Sequence, residues 1–362
     1  MAHVIVVGAG AVGSHVTEHL ARAAGVTRVT IVDRDRYDAS NLHSQRIDPR
    51  DVGKSKALVQ ARRVRRINPW LAVTAIHGAV EDLPLGALRA DVLLGCLDSR
   101  RARLVVNQAA WRLGVPWIDA GVDGPGLIAR AQVFAPGPAA PCLECAWGES
   151  DYAAVEQTYP CEAVARSSPT GASSALAALA AGLQAIECGK VLAGDTAHAL
   201  IGRDVMLEAR HHRHYVTAFR RNGSCRMPDH DGWLIHPLAA SVSSATLGEM
   251  FAIGRALRDA GDRLTLCVAG QVFALAVRCP ACGTSRATFV LARRLRRAAV
   301  FCPLCRRECQ PAGFDLHEAV AAGDVPRDAL DAPLSRVGLR QGDVCVLTTP
   351  SAAAHYQLGG NS

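Results

Sequence analysis

The stretch from Val4 to Lys56 constrains the fold of this chain more than any other. Val4 to Val7 is a short apolar run, the mark of a buried parallel strand. Gly8, Gly10 and Gly13 follow as G-x-G-x-x-G, where that strand turns into a helix. The first glycine permits the tight turn, the second lets a phosphate approach the backbone, and the third lets helix and sheet pack closely. Free N–H groups at the helix N-terminus then face an anion, and the macrodipole favours its charge. A second apolar run, Val29 to Val32, ends in Asp33, placed where a carboxylate accepts hydrogen bonds from ribose hydroxyls. The glycines and the acid alone fit a nicotinamide or flavin dehydrogenase equally well.

The residues after Asp33 shift that balance. They read Asp33-x-Asp35, then Ser40-Asn41-Leu42, Gln45-Arg46 and Val52-Gly53-Lys54-Ser55-Lys56. These polar and basic groups suit a triphosphate more than a nicotinamide. Their order resembles the ThiF/MoeB/HesA superfamily, the adenylating enzymes that include the ubiquitin-activating enzymes. The resemblance runs from Val4 to about His230. It implies a Rossmann-like α/β fold and an ATP site formed by Gly8, Gly10, Gly13, Asp33, Asp35, Asn41, Gln45, Lys56 and Asp98. It assigns phosphate to Lys56 and Mg²⁺ to Asp98, and Arg103 matches a family arginine. Ser44 stands where the family has an arginine in S-N-L-x-R-Q, and Arg46 is the candidate to reach the same phosphate. Dimeric relatives carry an N-terminal helix whose arginine reaches the partner's ATP. Only three residues precede the first strand here, so a homodimer is a weaker expectation.

The rest of the first 232 residues fits that frame. Helices are expected over Val52–Ile67, Arg100–Leu113 and Gly171–Leu192. Strands are expected over Leu71–Ile76, Asp91–Gly95, Pro116–Ala120, Gly126–Phe134, Asp204–Glu208 and His214–Phe219. Strands alternating with helices imply a doubly wound, mostly parallel sheet, and its ligands lie beyond the carboxyl ends of the strands. Gly8, Asp33 and Asp98 all sit at such ends. A helix N-cap is the plain alternative role for Asp98.

Thirteen cysteines in a chain without a visible signal peptide point to metal or thiol chemistry in the cytoplasm, not disulfides. Cys142-x-x-Cys145 matches half of a structural zinc site in the family, and Cys225 with His230 are the candidates to complete it. Cys161 stands where activating enzymes carry a loop cysteine, so the resemblance implies attack on an acyl-adenylate and a thioester. Arg166 is the nearest cation in sequence. A bystander cysteine is the alternative. Residues 233–362 form an appended α+β module, with a helix expected over Leu238–Ala260 and two strands around Gly270. Within it Cys279-x-x-Cys282 and Cys302-x-x-Cys305 enclose 19 residues. That spacing closes a zinc ribbon at about 277–310. The Gly359-Gly360 end reads as flexible.

The function expected is ATP-dependent adenylation of the C-terminal carboxylate of a ubiquitin-like or sulfur-carrier protein. Transfer through Cys161 to a conjugating or acceptor protein would follow. Adenylation without a thioester and a nucleotide-binding scaffold are the alternatives. The net charge of +7 is modest. Arginines cluster at Arg62–Arg66 and Arg293–Arg297, but no basic stripe with interleaved aromatics emerges, so nucleic acid is not an expected partner. Ala172–Gly194 is the most apolar helical stretch. Ser173, Ser174, Gln184, Glu187 and Lys190 interrupt it, which favours a buried core helix over a membrane span.

Overall fold

The structure is a computed structural model that describes residues 1–156, 173–227, 230, 232–259, 263–296 and 298–359. The chain divides into two units, residues 1–80 with 88–233, and residues 81–87 with 234–362.

The first unit is built on strands β1 (Ala2–Val7), β2 (Val26–Asp33), β3 (Ala72–His77), β4 (Val92–Gly95), β5 (Trp117–Asp123), β6 (Ile128–Phe134), β7 (Arg203–Glu208) and β8 (Arg213–Ala218). Among the described residues they form one sheet in the order β3-β2-β1-β4-β5-β6-β7-β8. The first five are parallel. From β5 onward the neighbours are antiparallel. The strand order reverses between β1 and β4, the switch point where open α/β sheets bind ligands.

Helices α1 (Ala11–Leu20), α2 (Lys56–Ile67), α3 (Arg100–Leu113), α4 (Glu149–Glu156) and α5 (Ser174–Leu192) accompany this sheet. The expected helix over Val52–Ile67 begins only at Lys56, because Gly53 takes φ +83° and Arg36 bridges Ser55 in extended pairing. The core joins Val4, Val6, Val29, Ile31, Val92, Leu94 and Ile118 of the strands with Val12, Val16, Ala57, Ala61, Leu176 and Ala180 of the helices.

Helix α5 is long and apolar enough to cross a membrane by composition. Its polar residues explain its place in the core. Gln184 donates to the carbonyls of Gly95 (2.9 Å) and Ile118 (2.7 Å), and Glu187 accepts from Leu200 N at 2.8 Å. Both side chains are buried. A buried amide stays only where its hydrogen bonds are made, and these tie α5 to strand ends.

The second unit carries β9 (Ile235–Leu238), α6 (Leu247–Gly254), β10 (Thr265–Val268), β11 (Phe273–Arg278), β12 (Ser285–Leu291), β13 (Val300–Phe301), β14 (Glu308–Cys309), β15 (Leu316–His317), β16 (Ala319–Ala321), β17 (Val344–Thr348) and β18 (Ala353–Leu358). A mixed sheet runs β16-β10-β17-β18-β9, beside smaller sheets β12-β11-β15 and β13-β14. The helix expected over Leu238–Ala260 is confined to α6, whose capping box from Thr246 to Glu249 fixes its start. Arg293, fully buried, is neutralised by Asp343 and donates to the Gly338 carbonyl. Gly359 donates to the Leu238 carbonyl at 2.8 Å, so the first glycine of the terminal pair belongs to the sheet edge.

Candidate functional site

The glycine turn shows what each of its three glycines does. Gly8 has φ +96°, and a Cβ there would lie 2.3 Å from the Cys96 carbonyl oxygen. A Cβ on Gly13 would lie 1.9 Å from the Gly8 carbonyl oxygen. These two positions are closed by backbone. Over Gly10 a Cβ would meet nothing within 4 Å. Gly10 is also the N-cap of α1, no side chain caps that end, and the first turn holds no acid. Among the described residues the turn therefore offers unpaired N–H groups beneath open space, which suits a phosphate.

Asp33 at the end of β2 is buried and holds the turn. Its Oδ2 accepts from Ala9 N at 2.6 Å and its Oδ1 from Asp35 N at 2.7 Å. Burial raises its pKa, against those two hydrogen bonds and the nearby Lys56. Backbone pairing of Asp35–Tyr37 with Gly53–Lys56 brings Lys56 to this end of the sheet. There its Nζ lies 3.4 Å from Asp35 Oδ2. Asn41 closes a capping box with Asp38, which fixes the Ser40-Asn41-Leu42 turn. Gln45 Oε1 is buried with no partner among the described residues. Arg46 is engaged by Glu18, at 2.8 Å, rather than lying free.

Three residues that the sequence reading left out pin this wall together. Tyr37 donates to the Ala9 carbonyl at 2.8 Å, Gln60 donates to Tyr37 Oη at 2.8 Å, and Ser14 Oγ accepts from Arg46 N at 3.0 Å. Burial raises the Tyr37 pKa further. Gln60 lies in the helix after the lysine motif and is fully buried, and nothing in the adjacent residues sets it apart.

Asp98 is exposed just beyond β4. The N-cap of α3 is Ser99, whose Oγ accepts from Ala102 N at 3.4 Å. Capping is thus done by the neighbour, and the Asp98 carboxylate remains available to a ligand. Arg103, one turn into α3, lies with its Nε 2.9 Å from Asp119 Oδ2 and donates to the Leu97 carbonyl. Asp119, the third residue of β5 and paired with Gly95 at the end of β4, is 1% exposed. Burial raises its pKa, while Arg103 and Arg130 pull it down. A Cβ at Gly121 would lie 3.3 Å from Arg103 Nη2 and 3.7 Å from Arg130 Nε, so both guanidinium groups flank that glycine. Asp119 and Arg130 were missed because nothing in a strand pattern singles out an inward carboxylate.

Two further constellations can hold metal. Cys142, Cys145, Cys225 and His230 present ligand atoms that all lie within 4.8 Å of one another. From Cys142 Sγ it is 3.8 Å to Cys145 Sγ, 3.7 Å to Cys225 Sγ and 3.5 Å to His230 Nε2. Zinc–sulfur bonds of about 2.3 Å in a tetrahedron give S–S edges of about 3.8 Å. Cys279, Cys282, Cys302 and Cys305 are gathered equally tightly, with Sγ separations of 3.3, 3.5 and 3.7 Å. Hydrogen bonds from Thr284 draw the Cys282 thiol down to about 6. Both donor sets fit zinc. Cys161 and Arg166 lie outside the described residues.

The ThiF family model matches residues 1–227. A sulfur carrier protein adenylyltransferase from Thermus thermophilus is 33% identical over 230 residues, covering 62% of this chain and 81% of its own. Ubiquitin-like modifier-activating enzyme 5 from Dictyostelium discoideum is 30% identical over 161 residues, which are 39% of this chain and 40% of that enzyme. The chain thus spans less than half the length of that relative. A crystal structure of E. coli MccB with ATP superposes with a TM-score of 0.51 at 23% identity, over 62% of this chain and 65% of that one. That likeness is one of fold.

Proposed function

Because the chain belongs to the ThiF family, whose model it matches over residues 1–227, we propose that it is an ATP-dependent adenylyltransferase acting on the C-terminal carboxylate of a ubiquitin-like or sulfur-carrier protein. The observation that carries this reading is the open space over Gly10 at the uncapped start of α1. Asp33 and Lys56, at the end of β2 and start of α2, and Asp98, beyond β4, lie at the same end of the parallel sheet. An exposed carboxylate and a lysine there suit a triphosphate with its metal more than a nicotinamide.

In this reading the substrate carboxylate attacks the α-phosphorus of ATP, a new O–P bond forms, and the bond to pyrophosphate breaks. Unpaired N–H groups of the glycine turn and Lys56 offset the phosphate charge. Asp33 accepts from the ribose hydroxyls. Asp35, 3.4 Å from Lys56, with Asn41 and Gln45 of the segment that follows, would complete the nucleotide site, and Gln45 Oε1, without a partner among the described residues, is an acceptor in waiting. Asp119 holds Arg103 in place, and Arg103 with Arg130 supplies cationic charge beside Gly121 of β5. Arg46 joins them only by exchanging its Glu18 partner. Asp98 would hold Mg²⁺, which supplies additional neutralisation of the triphosphate. Cys142, Cys145, Cys225 and His230 would hold one zinc, and Cys279, Cys282, Cys302 and Cys305 a second, each supplying a covalent cross-link of the fold.

The finer step is transfer to Cys161 as a thioester, with release of AMP. It rests on the position of that cysteine in the motif order and on the similarity to a ubiquitin-like modifier-activating enzyme. The similarity to a sulfur carrier protein adenylyltransferase favours stopping at the adenylate or passing sulfur. ATP–pyrophosphate exchange stimulated by a candidate carrier ending in glycine tests the adenylation. Asp98→Ala should abolish exchange while the protein stays folded. If exchange persists in that variant, Asp98 has been given the wrong role. A reducible carrier adduct that survives Cys161→Ala excludes the thioester assignment, and a wild type inactive with every carrier leaves a nucleotide-binding scaffold.

A further inference from the structure

A second charged site lies along one edge of α2, where buried Val59 gives way to exposed arginines. Val59, Arg62, Arg63 and Arg66 fall at i, i+3, i+4 and i+7 of that helix, so they share one stripe. Asp48, Arg50, Asp51 and Lys54 stand opposite, and together they enclose a cavity of about 110 Å³. Five cations therefore face two carboxylates.

The carboxylates are already committed. Asp48 accepts from Arg63 at 2.8 Å and lies 3.5 Å from Arg50, and Asp51 accepts from Arg63 at 3.0 Å. Asp51 also accepts from Asp48 N at 3.1 Å. Lys54 adds a longer-range attraction to Asp51, while Arg62 and Arg66 make no ion pair and no side-chain hydrogen bond with any described residue. Arg62 and Arg66, one turn apart beside one small cavity, repel one another, because like charges at i and i+4 on a helix are destabilising in isolation. Such a set is relieved by an anion of high charge density. Guanidinium forks match phosphoryl oxygens in geometry, and a lysine adds a point charge.

We propose that Arg62, Arg66 and Lys54, with Arg63 and Arg50 behind them, form a binding site for a phosphoryl anion, separate from the nucleotide site at the glycine turn. The ligand is either a free phosphate or pyrophosphate, or a backbone phosphate of RNA. Trp70, just past the end of α2 and 94% exposed, offers an indole for a neighbouring base in the second case.

The proposal stands independently of adenylation, and its test separates the two. Thermal unfolding of the full chain is followed in phosphate-free, low-salt buffer, then with inorganic phosphate, pyrophosphate or a short single-stranded RNA. Wild type should rise with at least one of these, and the rise should fade as salt is raised. In Arg62→Ala/Arg66→Ala the rise should fall away, while ATP binding at the other site is unchanged. Without anion that double variant should melt at or above the wild-type temperature, by up to about 2–4 °C, because repulsion has been removed. A response to RNA alone that is lost in Trp70→Ala identifies a nucleic-acid source; a response to pyrophosphate kept in Trp70→Ala identifies a free anion. The proposal is overturned if no anion stabilises the wild type, or if the double variant responds as wild type does.

Discussion

Alanine at Gly10 and alanine at Gly13 should rank in opposite orders for loss of stability and loss of binding. At Gly13 the new methyl carbon would sit 1.9 Å from the Gly8 carbonyl oxygen, where ordinary contact begins near 3.4 Å. Helix α1 must therefore back away from the sheet by about 1.5 Å, and no flexible side chain is available to yield instead. Overpacking of that kind costs about 3 kcal/mol. The gain in helix propensity from Gly to Ala returns about 1 kcal/mol. A net loss of about 2 kcal/mol remains. At Gly10 nothing is struck. Its φ of −80° is ordinary, its ψ of −139° lies off the extended basin, and alanine is a poorer N-cap. Together these cost about 1 kcal/mol.

Binding should rank the other way. The methyl on Gly10 would occupy the space a phosphate needs, so ATP affinity should fall at least tenfold in a protein that loses only about 1 kcal/mol of stability. Urea unfolding measures the first quantity and isothermal titration with ATP the second. Gly10→Ala with wild-type affinity would mean that the phosphates lie elsewhere. Gly13→Ala with wild-type stability would mean that the helix does not rest on the Gly8 carbonyl.

Removing a ligand from the first metal set, as in Cys142→Ser, or chelating the metal, should lower thermal stability and release zinc measurable with a chromogenic chelator; unchanged stability with full release would deny the site a structural role. A pH prediction follows from Asp204, whose pKa is raised from 3.8 chiefly by burial, against a hydrogen bond from Gln132 Nε2 at 3.2 Å. The folded state then binds its proton more tightly than the unfolded chain, so this group's contribution is full below 3.8 and is lost as pH rises through the raised folded value. Asp204→Asn should flatten the fall of unfolding free energy over that window, and an unchanged slope in urea titrations would contradict it.

How much of this was readable in advance depends on whether a residue's role is local. The glycine turn, the strands and α3 announced themselves because backbone geometry and apolar period are written in adjacent residues. Gly8 and Gly13 proved closed by backbone and Gly10 open, and the motif's spacing already assigns those roles. The start of α2 was misplaced by four residues, since the extended pairing of Ser55 with Arg36 comes from a segment about 20 residues away. The Leu238–Ala260 stretch was overextended as helix because apolar content was high while strand β9 is fixed only by its partner β18 at the far end of the chain. Asp119, Arg130, Tyr37 and Gln60 were invisible for the same reason. Each matters through a contact whose other half lies elsewhere in sequence.

The first candidate metal set and the proposed nucleotide site are joined through α3, which bears on what a metal there would do. Asn107, fully buried on α3, accepts from Leu143 N at 3.2 Å and donates to Glu144 Oε1 at 3.2 Å, so it grips the Cys142–Cys145 knuckle from both sides. Tyr152 of α4 donates to the other Glu144 oxygen at 3.0 Å, and Arg100 of α3 holds Asp151 at 2.9 Å. The same helix α3 carries Arg103 in its first turn and follows directly on Asp98. A knuckle closed on zinc therefore fixes one side of α3, while the Arg103–Asp119 pair and the Ser99 cap fix its start. None of the four candidate ligands sits in the glycine turn or at the end of β4. In the proposed adenylation, a metal held there would therefore act through the placement of α3 and not through contact with the reacting phosphate. Asn107→Ala, which leaves every thiol intact, should on this account lower exchange activity while zinc content stays whole.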